Sequence, residues 1–182
     1  MNRMTGLGST VVAITIAASA LPAIARAQCT ATGSGDSCTQ PGSASMTPGR
    51  VVRLQMTAAS TSLTAPTPTD FDAGFNSTTG PTLTVSANAG WMLHLRSAGT
   101  FWTATNTSPG APARTTKPAA DLTWSTAANG TFNALTTGDI TLVTGSATAS
   151  NATTLYFQTL YNWTLDTPGN YSLSVVLTLT SP

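Results

Sequence analysis

From residue 50 onward, apolar and polar positions alternate with a period of two. Over residues 50–56, Val52, Leu54 and Met56 share one face while Val51, Arg53 and Gln55 take the other, the pattern of a strand with one dry and one wet side. Residues 91–96 repeat it, with Trp91, Leu93 and Leu95 inward and His94 outward. The longest case is residues 171–179, where Tyr171, Leu173, Val175, Leu177 and Leu179 form one unbroken apolar face. At helical spacing the same residues would scatter. Shorter strands are predicted over 81–87, 101–105, 121–125, 140–144 and 154–165. Turn residues separate them at Asn88-Ala89-Gly90, Ser108-Pro109-Gly110, Asn129-Gly130, Thr137-Gly138-Asp139 and Asp166-Thr167-Pro168-Gly169. No segment after residue 27 reads as a helix, and residues 107–120, rich in Pro, Ala and Thr, read as a surface loop. Seven to nine short strands of this kind predict an all-β protein, an antiparallel β-sandwich of two packed sheets.

The first 27 residues follow a different rule. Arg3 precedes the apolar run Val11-Val12-Ala13-Ile14-Thr15-Ile16-Ala17-Ala18, too short to span a bilayer core of about 30 Å, and Ala25-Arg26-Ala27 places small residues where a signal peptidase needs them. These features predict a signal peptide over 1–27, cleavage after Ala27, and export. Gln28 and Arg26 stand where a lipidated cysteine at 29 would need small neighbours, so lipidation is not expected. No later stretch has about 18 unbroken apolar residues, so the mature chain is expected not to span a membrane. The remaining length of about 155 residues suits one domain with a real core. Residues 28–48, QCTATGSGDSCTQPGSASMTP, carry almost no large apolar side chains and read as a flexible N-terminal arm. The sandwich is placed at 49–182.

Charge narrows the partners. The mature chain holds Arg50, Arg53, Arg96, Arg114 and Lys117 against Asp36, Asp70, Asp72, Asp121, Asp139 and Asp166, with no glutamate. Five scattered cations cannot form the basic stripe that neutralises a nucleic-acid backbone, so nucleic acid is not an expected partner. Solubility must rest on Ser and Thr, roughly 30% of the chain.

Chemistry-bearing residues are few. Cys29 and Cys38, the two cysteines, are spaced for a small disulfide loop in an exported chain, a staple of roughly 2.5 kcal/mol in the chain-entropy model. His94 is the lone histidine, and no GxSxG elbow presents a serine to it. The aspartates sit mostly in turns instead of forming a facing pair for glycoside hydrolysis. Asp70-Phe71-Asp72 lacks the wider ligand loop of a calcium site and reads as a turn. No catalytic residue, metal site or cofactor is expected, and the chain is read as not an enzyme. Trp91 and Trp163 fall in phase with inward leucines and are expected to pack the core. Trp102 and Trp124 would stack sugars if both were exposed on one face. Asn76, Asn106, Asn129, Asn151, Asn162 and Asn170 head Asn-x-Ser/Thr sequons, which matter only in a glycosylating host.

Two resemblances add to this reading. Trp91-Met92-Leu93 after Gly90, and Trp163-Thr164-Leu165-Asp166-Thr167-Pro168, resemble the paired Trp-x-Leu motifs of the WxL domain of bacterial surface proteins. That resemblance implies an all-β module held non-covalently at the cell envelope, with Trp91, Leu93, Trp163 and Leu165 as wall-binding candidates. Cys29 soon after the leader, the strand at Thr82-Leu83-Thr84-Val85 and the last strand opening Pro168-Gly169-Asn170-Tyr171 are similar to spore-coat-U and fimbrial subunits of Ig-like fold. Those subunits donate an N-terminal strand to a neighbour, but residues 28–48 lack the alternating apolar residues a donor strand inserts. The Gly-x-Tyr opening also resembles a tyrosine corner, a fold device. The expectation is therefore an Ig-like sandwich, secreted to the extracellular space, cell surface or periplasm. It would act as a structural or adhesive protein on a cell-envelope polymer or another surface protein, with a pilus or coat subunit and a carbohydrate-binding module as alternatives. Its edge strands could also pair copies of the chain into homo-oligomers.

Overall fold

The computed structural model describes residues 33–35, 37–38, 43–107 and 112–182. The chain divides into two units, Met1–Thr47 and Pro48–Pro182. The expected leader, its cleavage point and Cys29 lie outside the described residues. Among the described residues no cysteine is free.

Among its described residues the second unit is all-β apart from one short α-helix and a 3-10 turn at Ala119–Asp121, with ten antiparallel strands in three sheets. They are β1 (Val52–Met56), β2 (Phe75–Ala87), β3 (Trp91–Ser97), β4 (Thr103–Asn106), β5 (Leu122–Ser125), β6 (Asn133–Ala134), β7 (Ile140–Gly145), β8 (Thr148–Leu160), β9 (Gly169–Ser172) and β10 (Val175–Thr180). A five-stranded sheet has the order β1-β2-β8-β5-β6, a three-stranded sheet β10-β3-β7, and a third pairs β4 with β9. Leu83, Val85, Leu122, Trp124, Leu155 and Phe157 of the first sheet share one core with Trp91, Leu93 and Leu95 of the second, a β-sandwich-like arrangement.

In β1, Val52 and Leu54 pack against the core as expected, while Met56, expected on the same face, is 43% exposed. In β3, Trp91, Leu93, Leu95 and Ser97 are buried while Met92, His94 and Arg96 are not. The Trp91 ring lies against the backbone of Gly145, where an added Cβ would stand 2.6 Å from Cζ2. Its Nε1 donates to the Ser146 carbonyl at 2.9 Å. That close approach requires glycine at 145.

Four expectations need correcting. The strand predicted at 81–87 starts six residues earlier, at Phe75. Its polar first half has no apolar alternation, yet it pairs with β8 from Phe75↔Leu160 onward. Pro81, which has no N–H to give, sits in the register shift between Thr79 and Thr82, the kind of site where a non-edge strand accepts proline. The strand predicted over 171–179 is two. Tyr171 pairs across to β4, and the chain resumes at Val175 against β3, so one apolar face serves two sheets. This split and the two-residue β6 raise the count to ten from the expected seven to nine.

A helix, α1 (Pro68–Ala73), stands where a turn was expected. Thr67 caps it: Asp70 N–H donates to Thr67 Oγ1, the Asp70 carboxylate accepts from Thr67 N–H at 2.7 Å, and Gly74 closes it in the left-handed region at φ 80°. Fourth, residues 107–120 are not simply a surface loop. Residues 108–111 lie outside the described residues, but Ala113, Lys117 and Ala119 are buried.

Candidate functional site

Strand β8 was predicted to run on to Leu165, carrying Trp163 into the core. It ends at Leu160, because the next residues fold into a turn built on side chains. Asn162 Oδ1 accepts from Thr164 N–H at 2.9 Å and from Thr164 Oγ1 at 2.8 Å, and Asp166 Oδ2 accepts Asn162 N–H at 2.8 Å. The turn swings Trp163 and Leu165 outward, leaving them 59% and 51% exposed.

Trp163 is exposed but held. Its ring stacks on Phe71 of α1 with centroids 4.6 Å apart and planes 28° from parallel, and Phe71 in turn meets Tyr161 at 5.3 Å. Its Nε1 donates to Asp72 Oδ1 at 3.0 Å. The capping box of α1 thus orients both residues that hold the indole. Hydrogen bonds from the Thr67 hydroxyl and then the Thr67 N–H hold the Asp70 carboxyl below its ordinary value of 3.8. Burial raises the Tyr161 phenol above 10.0, with the negative charges of Asp70 and Asp166 adding to it.

Beneath this cluster lies a four-membered ion network. Lys117 Nζ donates to Asp166 Oδ1 at 2.9 Å, to the Leu160 carbonyl at 2.7 Å and to Asp121 Oδ2 at 3.2 Å. Arg114 Nη1 reaches the same two carboxylate oxygens at 3.0 and 3.2 Å. The Lys117 side chain is 3% exposed and that of Asp166 6%. Two cations and two carboxylates cancel, as burial demands. Lys117 also stands 5.4 Å from the Tyr161 ring centroid. Tyr171 closes the arrangement: its hydroxyl donates to the Thr167 carbonyl at 2.7 Å and accepts Arg114 N–H at 2.9 Å.

A half-open cavity of about 630 Å³ adjoins both groups, with Phe71, Tyr161, Trp163, Lys117, Asp166 and Asn170 in its lining. A second cavity, about 730 Å³, opens between the sheets and is mainly apolar, with Leu54, Leu63, Leu155, Leu173 and Leu177 in its lining.

The residues singled out from the sequence are therefore separated. Trp91 and Leu93, the first Trp-x-Leu pair, are core at 2% and 0% exposure. Trp163 and Leu165, the second pair, are on the surface. Trp102 and Trp124, proposed for sugar stacking if exposed, are buried at 4% and 6%, so they offer no platform. Trp102 Nε1 donates to the Pro118 carbonyl at 3.0 Å, while Trp124 Nε1 is buried without a partner among the described residues. His94 lies on the less buried face of β3, its Nδ1 3.4 Å from Thr141 Oγ1. Among the described residues no three His, Cys, Asp or Glu side chains group as metal ligands, and no helix is long and apolar enough to cross a membrane.

Sequence reasoning missed both the network and the partnership of Phe71 and Asp72 with Trp163. One signal was available: Thr67-Pro68-Thr69-Asp70 is a capping-box pattern with proline at the first helical position. No protein-family model matches this chain, and no curated protein matches it.

Proposed function

We propose that this chain is an exported, non-catalytic structural or adhesive protein of the bacterial cell surface, an Ig-like sandwich that meets its partner through the loop bearing Trp163 and Leu165. The observation that carries the reading is the display of this Trp-x-Leu pair. A tryptophan and a leucine more than half exposed, on a chain with few charges, form an apolar contact surface that the core does not use. The first Trp-x-Leu pair packs the core, so attachment of the WxL kind would rest on the second alone. The Ig-like assignment draws support from Tyr171, whose hydroxyl bonds the carbonyl four residues upstream in the manner of a tyrosine corner. The export reading rests on the leader-like first 27 residues.

The test is fractionation of the native cells, followed by pull-down of the mature chain on isolated envelope. Retention by the wild type that is lost in Trp163→Ala, with unchanged circular dichroism, supports the reading. A protein found only in the medium or periplasm that ignores the envelope sinks it. A pilus- or coat-type subunit is the second reading, favoured by the apolar inter-sheet cavity between the approaching edge strands β1 and β10. Polymers in gently prepared extracts would bring it forward.

A further inference from the structure

The geometry points to a saccharide-binding site on the outer face of Trp163, one that takes an uncharged pyranose ring. The inference rests on the surface-adhesive reading and gives its partner a chemistry.

The indole is presented as a fixed plane. Phe71 stacks on the ring at 4.6 Å, and the bond from Nε1 to Asp72 Oδ1 restrains rotation about the side chain. With both contacts in place the residue as a whole is still 59% exposed. A flat, rigid, weakly polar surface suits a partner with one apolar face and a polar rim, because stacking buries the apolar face at little conformational cost while hydroxyls at the edge keep their hydrogen bonds. A pyranose ring, with C–H groups on its faces and hydroxyls around its edge, has that form.

The cavity beside the indole favours a neutral ligand, and the exposed Asp72 carboxylate at the indole edge disfavours an anion. Lys117, Arg114, Asp121 and Asp166 neutralise one another within the network, so the adjoining cavity offers no unopposed charge to an ionic group. Its lining also includes Thr64 and Asn170, side chains that both donate and accept. A cavity of about 630 Å³ has room for one or two sugar rings beside the indole. A proline-rich peptide also stacks on aromatics, but it brings few donors to such a rim.

The experiment titrates the mature protein with hexamers of β-1,4-linked glucose, β-1,4-linked N-acetylglucosamine and α-1,6-linked mannose, reading tryptophan fluorescence and calorimetric heat. The expected result is saturable binding of at least one hexamer. Affinity should fall by at least about tenfold in Trp163→Ala, fall less in Trp163→Phe, and hold in Trp91→Phe, whose ring is in the core. Circular dichroism and thermal midpoint serve as the folding control for each variant. Binding unchanged by Trp163→Ala overturns the site. No binding of any hexamer at millimolar concentration, with envelope retention still dependent on Trp163, overturns the saccharide assignment and leaves a protein partner with the adhesive reading intact. Absence of both sugar binding and envelope retention overturns both.

Discussion

Replacing Lys117 by Met tests whether the buried network holds the loops beneath the aromatic cluster. Methionine fills nearly the same stem volume, so the cavity contribution is small and the change is mainly electrostatic. The substitution removes three contacts from Nζ, at 2.7, 2.9 and 3.2 Å, and leaves one cation, Arg114, facing two carboxylates. Breaking a buried ion pair from one side costs about 3–5 kcal/mol. Arg114 still bonds both carboxylates and the Asp121 side chain is 21% exposed, so the low end applies, about 3 kcal/mol. For a unit of about 135 residues this lowers Tm by about 10–15 °C. The assay is urea and thermal unfolding followed by circular dichroism. The double variant Lys117→Met/Asp121→Asn, which restores charge balance around Arg114, should recover about 1–2 kcal/mol. A loss below about 1 kcal/mol, or strict additivity in the double variant, would mean that the four groups interact no more strongly than a solvated surface pair, and the reasoning would be refuted.

Three further outcomes follow from single contacts. Gly145→Ala drives a Cβ to 2.6 Å from the Trp91 ring and should cost about 1–3 kcal/mol by urea unfolding, whereas Gly49→Ala, with open space around it, should be near neutral. Tyr171→Phe deletes a hydroxyl that serves both the Thr167 carbonyl and Arg114 N–H. The expected loss is about 1–3 kcal/mol, with faster hydrogen exchange at the Arg114 amide; protection equal to wild type would count against the corner. The third concerns acid. Because the Asp70 carboxyl titrates lower folded than unfolded, its capping contribution is complete above the unfolded value of 3.8 and disappears as pH falls through the folded value. Trp163 fluorescence should therefore change below pH 3.8 as α1 frays, and in Asp70→Asn that acid-dependent step should be absent.

By itself the amino-acid sequence determined the all-β character and the inward face of β3, because alternation along a strand is a local property: successive side chains point to opposite faces whatever the strand pairs with. Turn residues at 88–90 and 137–139 were legible for the same reason, since their backbone preferences act over a few bonds. Tertiary structure decided the rest. The polar half of β2 is a strand because β8 supplies its hydrogen bonds, not because its own residues ask for one. Residues 171–179 keep one apolar face yet serve two sheets, since their partners, β4 and β3, come from distant segments. The two Trp-x-Leu pairs look alike in the chain and part in the fold. Trp91 meets a glycine backbone that lets it sink, while Trp163 follows a turn closed by Asp166 onto Asn162. Asp166 is itself held by Lys117, 49 residues away, and Phe71 and Asp72 arrive at Trp163 from 92 and 91 residues upstream. Burial and stacking depend on which distant groups the folded chain brings within a few ångströms, and no pattern of local period encodes that.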